Sequence, residues 1–175
     1  MPAEPIDPRA FIRDVPDFPR PGVLFKDITP LLADPGAFAA TIDGLARLVA
    51  ESRPEVVAAA EARGFLFAAP LALRLGIGLV PIRKPGKLPH RTVAREYLLE
   101  YGSDRLEVHR DAIAPGHRVL LVDDVLATGG TMRACCDLVA GAGATVAACA
   151  FVIELASLKG REKLEDLDVY SLITY

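Results

Sequence analysis

The chain has 175 residues, 51% of them hydrophobic and 25% charged, with a formal net charge of −3. That length suits one domain with a real core, and that charge gives no electrostatic case for nucleic acid or an anionic membrane as the main partner. No apolar run approaches the ~18 residues of a membrane span. Met1 to Asp7 lack the basic and apolar regions of a signal peptide, so a cytoplasmic protein is expected. The three cysteines are odd in number and lack zinc spacing, which predicts reduced structural thiols.

In chain order, Asp7 and Pro8 open a short helix over residues 7–13. Residues 15–30 hold four prolines, which predicts an extended loop without regular ladders. Phe18, Val23, Leu24, Phe25 and Ile28 make that loop too apolar for a solvated linker. It can line a pocket for a flat heterocycle, with Phe25 stacked on the ring, or simply pack over the core. Residues 35–52 have helical apolar spacing and stop at Pro54. A strand over 55–60, a helix over 65–75 and a strand over 77–82 follow, and this alternation predicts an α/β fold with a parallel sheet.

Arg83 to Arg91 is the most basic stretch, shaped by Pro85, Gly86 and Pro89. A solvated charged loop is one reading; a loop that brings cations to a polyphosphate is the other. Residues 92–100 and 105–110 form the arms of an antiparallel hairpin, turned at Tyr101–Asp104. Val119 to Val122 is an apolar run of the kind buried on both faces of a parallel sheet. It leads into Asp123 and Asp124 and then the small residues Ala127, Thr128, Gly129, Gly130 and Thr131, where a helix begins. Ligands of open α/β sheets bind beyond such strand ends. A compact turn at a helix N-terminus can cradle phosphate with its N–H groups. A plain turn with a helix cap would explain the glycines, but not two adjacent like charges after a buried strand. A helix over 132–140, a strand over 144–155, a charged helical turn over 157–164 and an edge strand over 169–174 complete the chain.

The stretch Val-Asp-Asp-Val-Leu-Ala-Thr-Gly-Gly-Thr, residues 122–131, resembles the phosphoribosyl-pyrophosphate motif of the type I phosphoribosyltransferases. Residues 15–31, Glu61–Phe65, Arg83–Pro89, Tyr97–Gly102 and Leu155–Leu164 are similar to the adenine phosphoribosyltransferase family within that group. The resemblance runs from about Val15 to the end of the chain. It implies the type I fold as a single domain over 1–175: a central parallel sheet flanked by helices, a hood over about 1–34 and a flexible hairpin over about 83–110. It implies that adenine and phosphoribosyl pyrophosphate become AMP and diphosphate, with Mg²⁺ as cofactor, in a homodimer. A phosphoribosyltransferase for another purine such as xanthine is the alternative within the class. A non-catalytic regulator of the same fold is the alternative outside it.

Carried over by position, the resemblance gives Leu24, Phe25 and Lys26 to adenine and makes Glu100 the proton-handling residue. It gives Asp123 and Asp124 to the ribose hydroxyls, and Ala127, Thr128, Gly129, Gly130 and Thr131 to the 5-phosphate. Arg63, after the Glu61–Ala62 peptide that this family often holds cis, faces diphosphate, as do Arg83, Lys84 and Lys87. No metal ligand is expected from the protein itself; Mg²⁺ would come through the substrate.

Overall fold

The computed structural model describes residues 6–98 and 103–175. They fall into two compact units, divided between Gly44 and Leu45.

In the first unit a short 3₁₀ turn, Pro8–Phe11, is capped by Asp7, whose Oδ1 accepts from Arg9 N–H at 3.0 Å. The next segment departs from the ladder-free loop expected of it. β1 (Arg13–Pro16) pairs antiparallel with β2 (Leu24–Asp27), from Arg13↔Asp27 to Pro16↔Leu24. The prolines do not prevent this because Pro16 sits at the last pair of the ladder, while Pro19 and Pro21 lie in the connection. The Phe18–Pro19 peptide in that connection is cis. α1 (Thr29–Ala33) carries Pro30 in its first turn, where a missing N–H costs nothing. α2 (Pro35–Leu48) follows and contains the boundary between the units.

The second unit is built on a five-stranded, all-parallel sheet. β3 is Val56–Ala60, α3 Gly64–Leu75, and β4 Gly78–Ile82. β5 (Thr92–Leu98) and β6 (Ser103–His109) form a separate antiparallel hairpin. β7 is Arg118–Leu126, α4 Gly130–Gly141, β8 Thr145–Glu154 and β9 Val169–Thr174. The sheet order is β4-β3-β7-β8-β9, so β7 is central. Val56, Ala58 and Ala60 of β3 and Val119 and Leu121 of β7 pack with α4 and with Leu106 and Val108 of β6 in one apolar cluster. The alternate residues Val57, Ala59, Leu120 and Val122 are equally buried on the other face, where α3 lies with Phe67 and Leu71 inaccessible. Both faces are therefore covered, which is why the strands read as unbroken apolar runs.

β7 is longer than the apolar run predicts. It continues through both aspartates to Leu126, because β8 keeps pairing with it: Asp123↔Phe151, Val125↔Ile153 and Leu126↔Glu154. Several contacts among the described residues tie the hairpin to the rest of its unit. Arg83 and Glu107 exchange backbone hydrogen bonds of 2.8 and 2.7 Å, and Arg95 Nε donates to Asp137 Oδ2 of α4 at 3.2 Å. Cys135, Cys136 and Cys149 are free and buried, and the contact with Cys136, together with burial, holds the Cys149 thiol well above its ordinary range.

Candidate active site

At the carboxyl end of β7 the chain turns through residues 127–129 and enters α4 at Gly130. Gly129 caps the helix with φ +77°, a conformation that strongly favours glycine, and no side chain caps the helix. The first N–H groups of α4 therefore have no intrahelical partner and point, with the positive end of the helix dipole, toward the cleft end of the sheet. Gly160 packs directly behind the turn. A Cβ on Gly129 would lie 2.5 Å from the Gly160 carbonyl oxygen, and one on Gly160 would collide with the Ala127 carbonyl oxygen. Two glycines thus let two backbone segments touch, and residues 127–131 take their shape from that contact. Gly160 was absent from the expected site because its approach to Gly129 is non-local.

Beside this turn lies a cleft of about 480 Å³, lined by Glu61, Ala62, Arg63, Lys84, Tyr97, Asp104, Leu106, Asp123, Asp124 and Thr131. Asp124 is only 4% exposed, and its Oδ2 meets Arg63 Nε at 2.6 Å. Asp123 Oδ1 accepts from the Asp124 N–H at 2.9 Å. Burial, and then the neighbouring Asp124 carboxylate, push the Asp123 carboxyl well above the usual carboxylate range. Gly64 opens α3 so close to this carboxylate that a Cβ there would lie 3.0 Å from Asp123 Oδ1. The two aspartates thus form an acidic end of the cleft that is under-compensated until hydroxyls or a cation arrive.

This electrostatic tension has a measurable consequence. A carboxyl raised in the folded state binds its proton more tightly there than in the unfolded chain. Folding stability therefore falls as pH rises from about 4, the ordinary carboxylate value, through the raised folded value. Asp123→Asn removes that loss. The substituted protein without ligand is expected to melt roughly 2–4 °C above the parent at pH 7.5, the difference shrinking toward pH 3. Parallel melting curves across that range would refute the account.

The cationic wall is held by carboxylates that the sequence did not single out. Glu61 Oε2 accepts from Arg83 Nε at 2.9 Å and from Nη2 at 2.8 Å, while its Oε1 accepts from the Lys84 N–H at 2.8 Å. Burial works against ionisation of Glu61, but the Lys84 amide and the Arg83 guanidinium outweigh it and hold the carboxyl below its usual range. The Glu61–Ala62 peptide is cis, in line with the family pattern. Lys84 Nζ meets Asp104 Oδ2 at 3.2 Å.

The structure therefore brings Arg63, Lys84, Asp123, Asp124 and Thr131 together around one cleft, with Ala127–Gly130 leading into Thr131. Arg83 stands one carboxylate away, on Glu61. Lys87 is exposed in the turn after Lys84 and is not among the residues lining the cleft. Leu24, Phe25 and Lys26 belong to the first unit, on β2. There Leu24 is half-exposed, the Phe25 ring meets Phe18 edge-on at 5.1 Å, and Lys26 Nζ pairs with Asp14 Oδ1 at 2.7 Å. Glu100 lies outside the described residues.

Known proteins resemble this chain in sequence and fold. Residues 30–174 match the phosphoribosyl transferase domain family. An adenine phosphoribosyltransferase from Kosmotoga olearia is 56% identical over 165 residues, covering 94% of this chain and 97% of the relative. One from Roseiflexus castenholzii is 59% identical over 164 residues, covering 94% and 95%. The crystal structure of adenine phosphoribosyltransferase from Thermoanaerobacter pseudethanolicus superimposes with a TM-score of 0.93 at 53% identity, covering 95% of this chain and 97% of that one. The Saccharomyces cerevisiae enzyme, crystallised with an imino-altritol bisphosphate and adenine, gives 0.88 at 41% identity, covering 94% and 95%. With identity of this order over nearly its whole length, the chain belongs to the adenine phosphoribosyltransferase family of phosphoribosyl transferase domain proteins.

Proposed function

We propose that the protein converts adenine and phosphoribosyl diphosphate to AMP and diphosphate in purine salvage. The observation that carries this reading is the single cleft in which a phosphate-type turn ending at Thr131, the paired carboxylates Asp123 and Asp124, and the cations Arg63 and Lys84 converge. An imidazole nitrogen of adenine attacks the anomeric carbon, the bond from that carbon to diphosphate oxygen breaks, and the nitrogen's proton passes to Glu100. The sugar passes through an oxocarbenium-like state, which two nearby carboxylates stabilise. The N–H groups around 127–131 fix the 5-phosphate, Arg63, Arg83, Lys84 and Lys87 receive the diphosphate charge, and Leu24, Phe25 and Lys26 take the base.

Among the described residues no group of three or more His, Cys, Asp or Glu side chains could hold a metal ion by itself. Asp123, whose burial resists its charge, would gain from a cation carried in with the substrate. Mg²⁺ brought in this way would offset the charge of the leaving group.

The assembly we propose is a homodimer of single-domain chains, in which residues 1–34 act as a hood and residues 83–110 as a hairpin over the site. Leu66 and Leu73 of α3 and Leu79 of the edge strand β4 are 44%, 84% and 38% exposed, an apolar surface suited to a second copy. The cytoplasm is the compartment we assign, consistent with three free cysteines. Among the described residues no helix is long and apolar enough to cross a membrane.

The test is direct. The protein is incubated with phosphoribosyl diphosphate, Mg²⁺ and each purine base, and nucleotide is measured. AMP from adenine is the expected product. Turnover of xanthine or guanine but not adenine overturns the base assignment, and no turnover of any base favours the regulator.

A further inference from the structure

Two cleft residues have no role in the reaction as set out above: Tyr97 on β5 and Asp104 on β6. They face each other across the hairpin as a register pair. Tyr97 Oη donates to Asp104 Oδ2 at 3.3 Å. The same Asp104 oxygen receives Lys84 Nζ at 3.2 Å. One row of three side chains therefore runs from the hairpin to the cation on the proposed diphosphate side of the cleft.

We propose that Tyr97 and Asp104 are positioning residues, a relay Tyr97–Asp104–Lys84 that fixes the cation meeting the diphosphate. The proposal rests on the phosphoribosyl diphosphate reading of the cleft and extends it.

Three physical features support the relay. The phenol is half-buried, so its hydroxyl needs a partner, and Asp104 supplies it. Lys84 is held at both ends, with its N–H on Glu61 and its ammonium on Asp104. A side chain with four rotatable bonds is thereby fixed before the ligand arrives, which lowers the entropy lost on binding. The carboxylate stays ionised to do this: the Arg105 amide, then Lys84 and Tyr97 against a cost of burial, hold the Asp104 carboxyl below its usual range. An ammonium carries three donors, so Lys84 can keep Asp104 and still give two N–H groups to diphosphate oxygens. The hairpin serves as a structural tie across the cleft as well as a cover.

The experiment is a double-mutant cycle on binding of phosphoribosyl diphosphate with Mg²⁺, followed by calorimetry in the absence of base. Tyr97→Phe keeps the ring and removes the hydrogen bond to Asp104. It is expected to weaken binding about tenfold, and to raise KM for the sugar substrate with kcat changed by less than about threefold. Lys84→Gln weakens binding as well. In the Lys84→Gln background Tyr97→Phe is expected to add less than about a twofold further loss, because the relay then has no cation to deliver. Asp104→Asn cuts the relay at the other link and is expected to show the same non-additivity. Tyr97→Phe binding like the parent, or losses that multiply fully with Lys84→Gln, overturns the relay while leaving the proposed function intact. A parent protein that does not bind phosphoribosyl diphosphate overturns both.

Discussion

Alanine at Gly129 or at Gly160 is expected to lower kcat/KM for phosphoribosyl diphosphate by about 10²-fold or more, with the chain still folded. The reason is contact between backbones. Gly129 holds φ +77°, where any L side chain is strained by ~1–2 kcal/mol. A Cβ there would also lie 2.5 Å from the Gly160 carbonyl oxygen. From the other side, a Cβ on Gly160 would meet the Ala127 carbonyl and the Leu126 side chain. The closest clash in each case is against a backbone carbonyl rather than the free end of a flexible side chain, so the turn itself must move by about 1 Å to restore ordinary contact. Displacement of that size at a group that positions substrate costs about two orders of magnitude in rate. Gly141, at the far end of α4, has nothing within 4 Å of an added Cβ and is the control, expected to keep parental kinetics. Kinetics within threefold of the parent for Gly160→Ala would mean that residues 127–131 relax independently of residue 160, and the packing account would fail.

This contact also marks the limit of what the residues alone disclose. Ala127 to Thr131 was legible as a tight turn opening a helix because small residues follow a buried strand, and the cap at Gly129 is where that turn was expected. Gly160 looked like part of a charged helical turn; its partner is 31 positions earlier, and no local pattern encodes the approach. The same holds for Glu61, whose carboxylate holds Arg83 and Lys84. Asp104 and Tyr97 sat in plain view within a predicted hairpin, yet only the ladder register places them opposite each other and beside Lys84. Hydrophobic patterning found the sheet strands because both faces are buried. It stopped β7 short at Val122 because it weighs apolar character. The ladder to β8 carries Asp123 and Asp124 as strand residues, with Arg63 meeting the buried charge. Prolines misled in the opposite direction at residues 13–27, where a ladder of four pairs ends just as the proline-rich connection begins.

Glu100→Gln is expected to lower kcat by about 10²-fold while KM for phosphoribosyl diphosphate stays within about threefold of the parent. In chain order Glu100 falls between Leu98 and Ser103, the last register pair of the hairpin. Its proposed task is to take the proton that the attacking nitrogen must lose. Glutamine matches glutamate in size and can still accept a hydrogen bond through its carbonyl, so base orientation is largely retained. It cannot accept a proton, so the nitrogen would carry positive charge into the new glycosidic bond. The proposed reading gives the sugar and its phosphates to other groups, Asp123, Asp124, Arg63 and the 127–131 turn, which is why KM for that substrate should barely move. This pattern is the reverse of the one expected for Tyr97→Phe, where binding suffers and turnover does not. The pH profile separates them further. A general base works only when ionised, so kcat of the parent rises with pH through the carboxylate's titration, and the glutamine variant should lose that acidic limb. Retention of the limb with an undiminished kcat would remove Glu100 from the proton transfer and move the search to another group on the base.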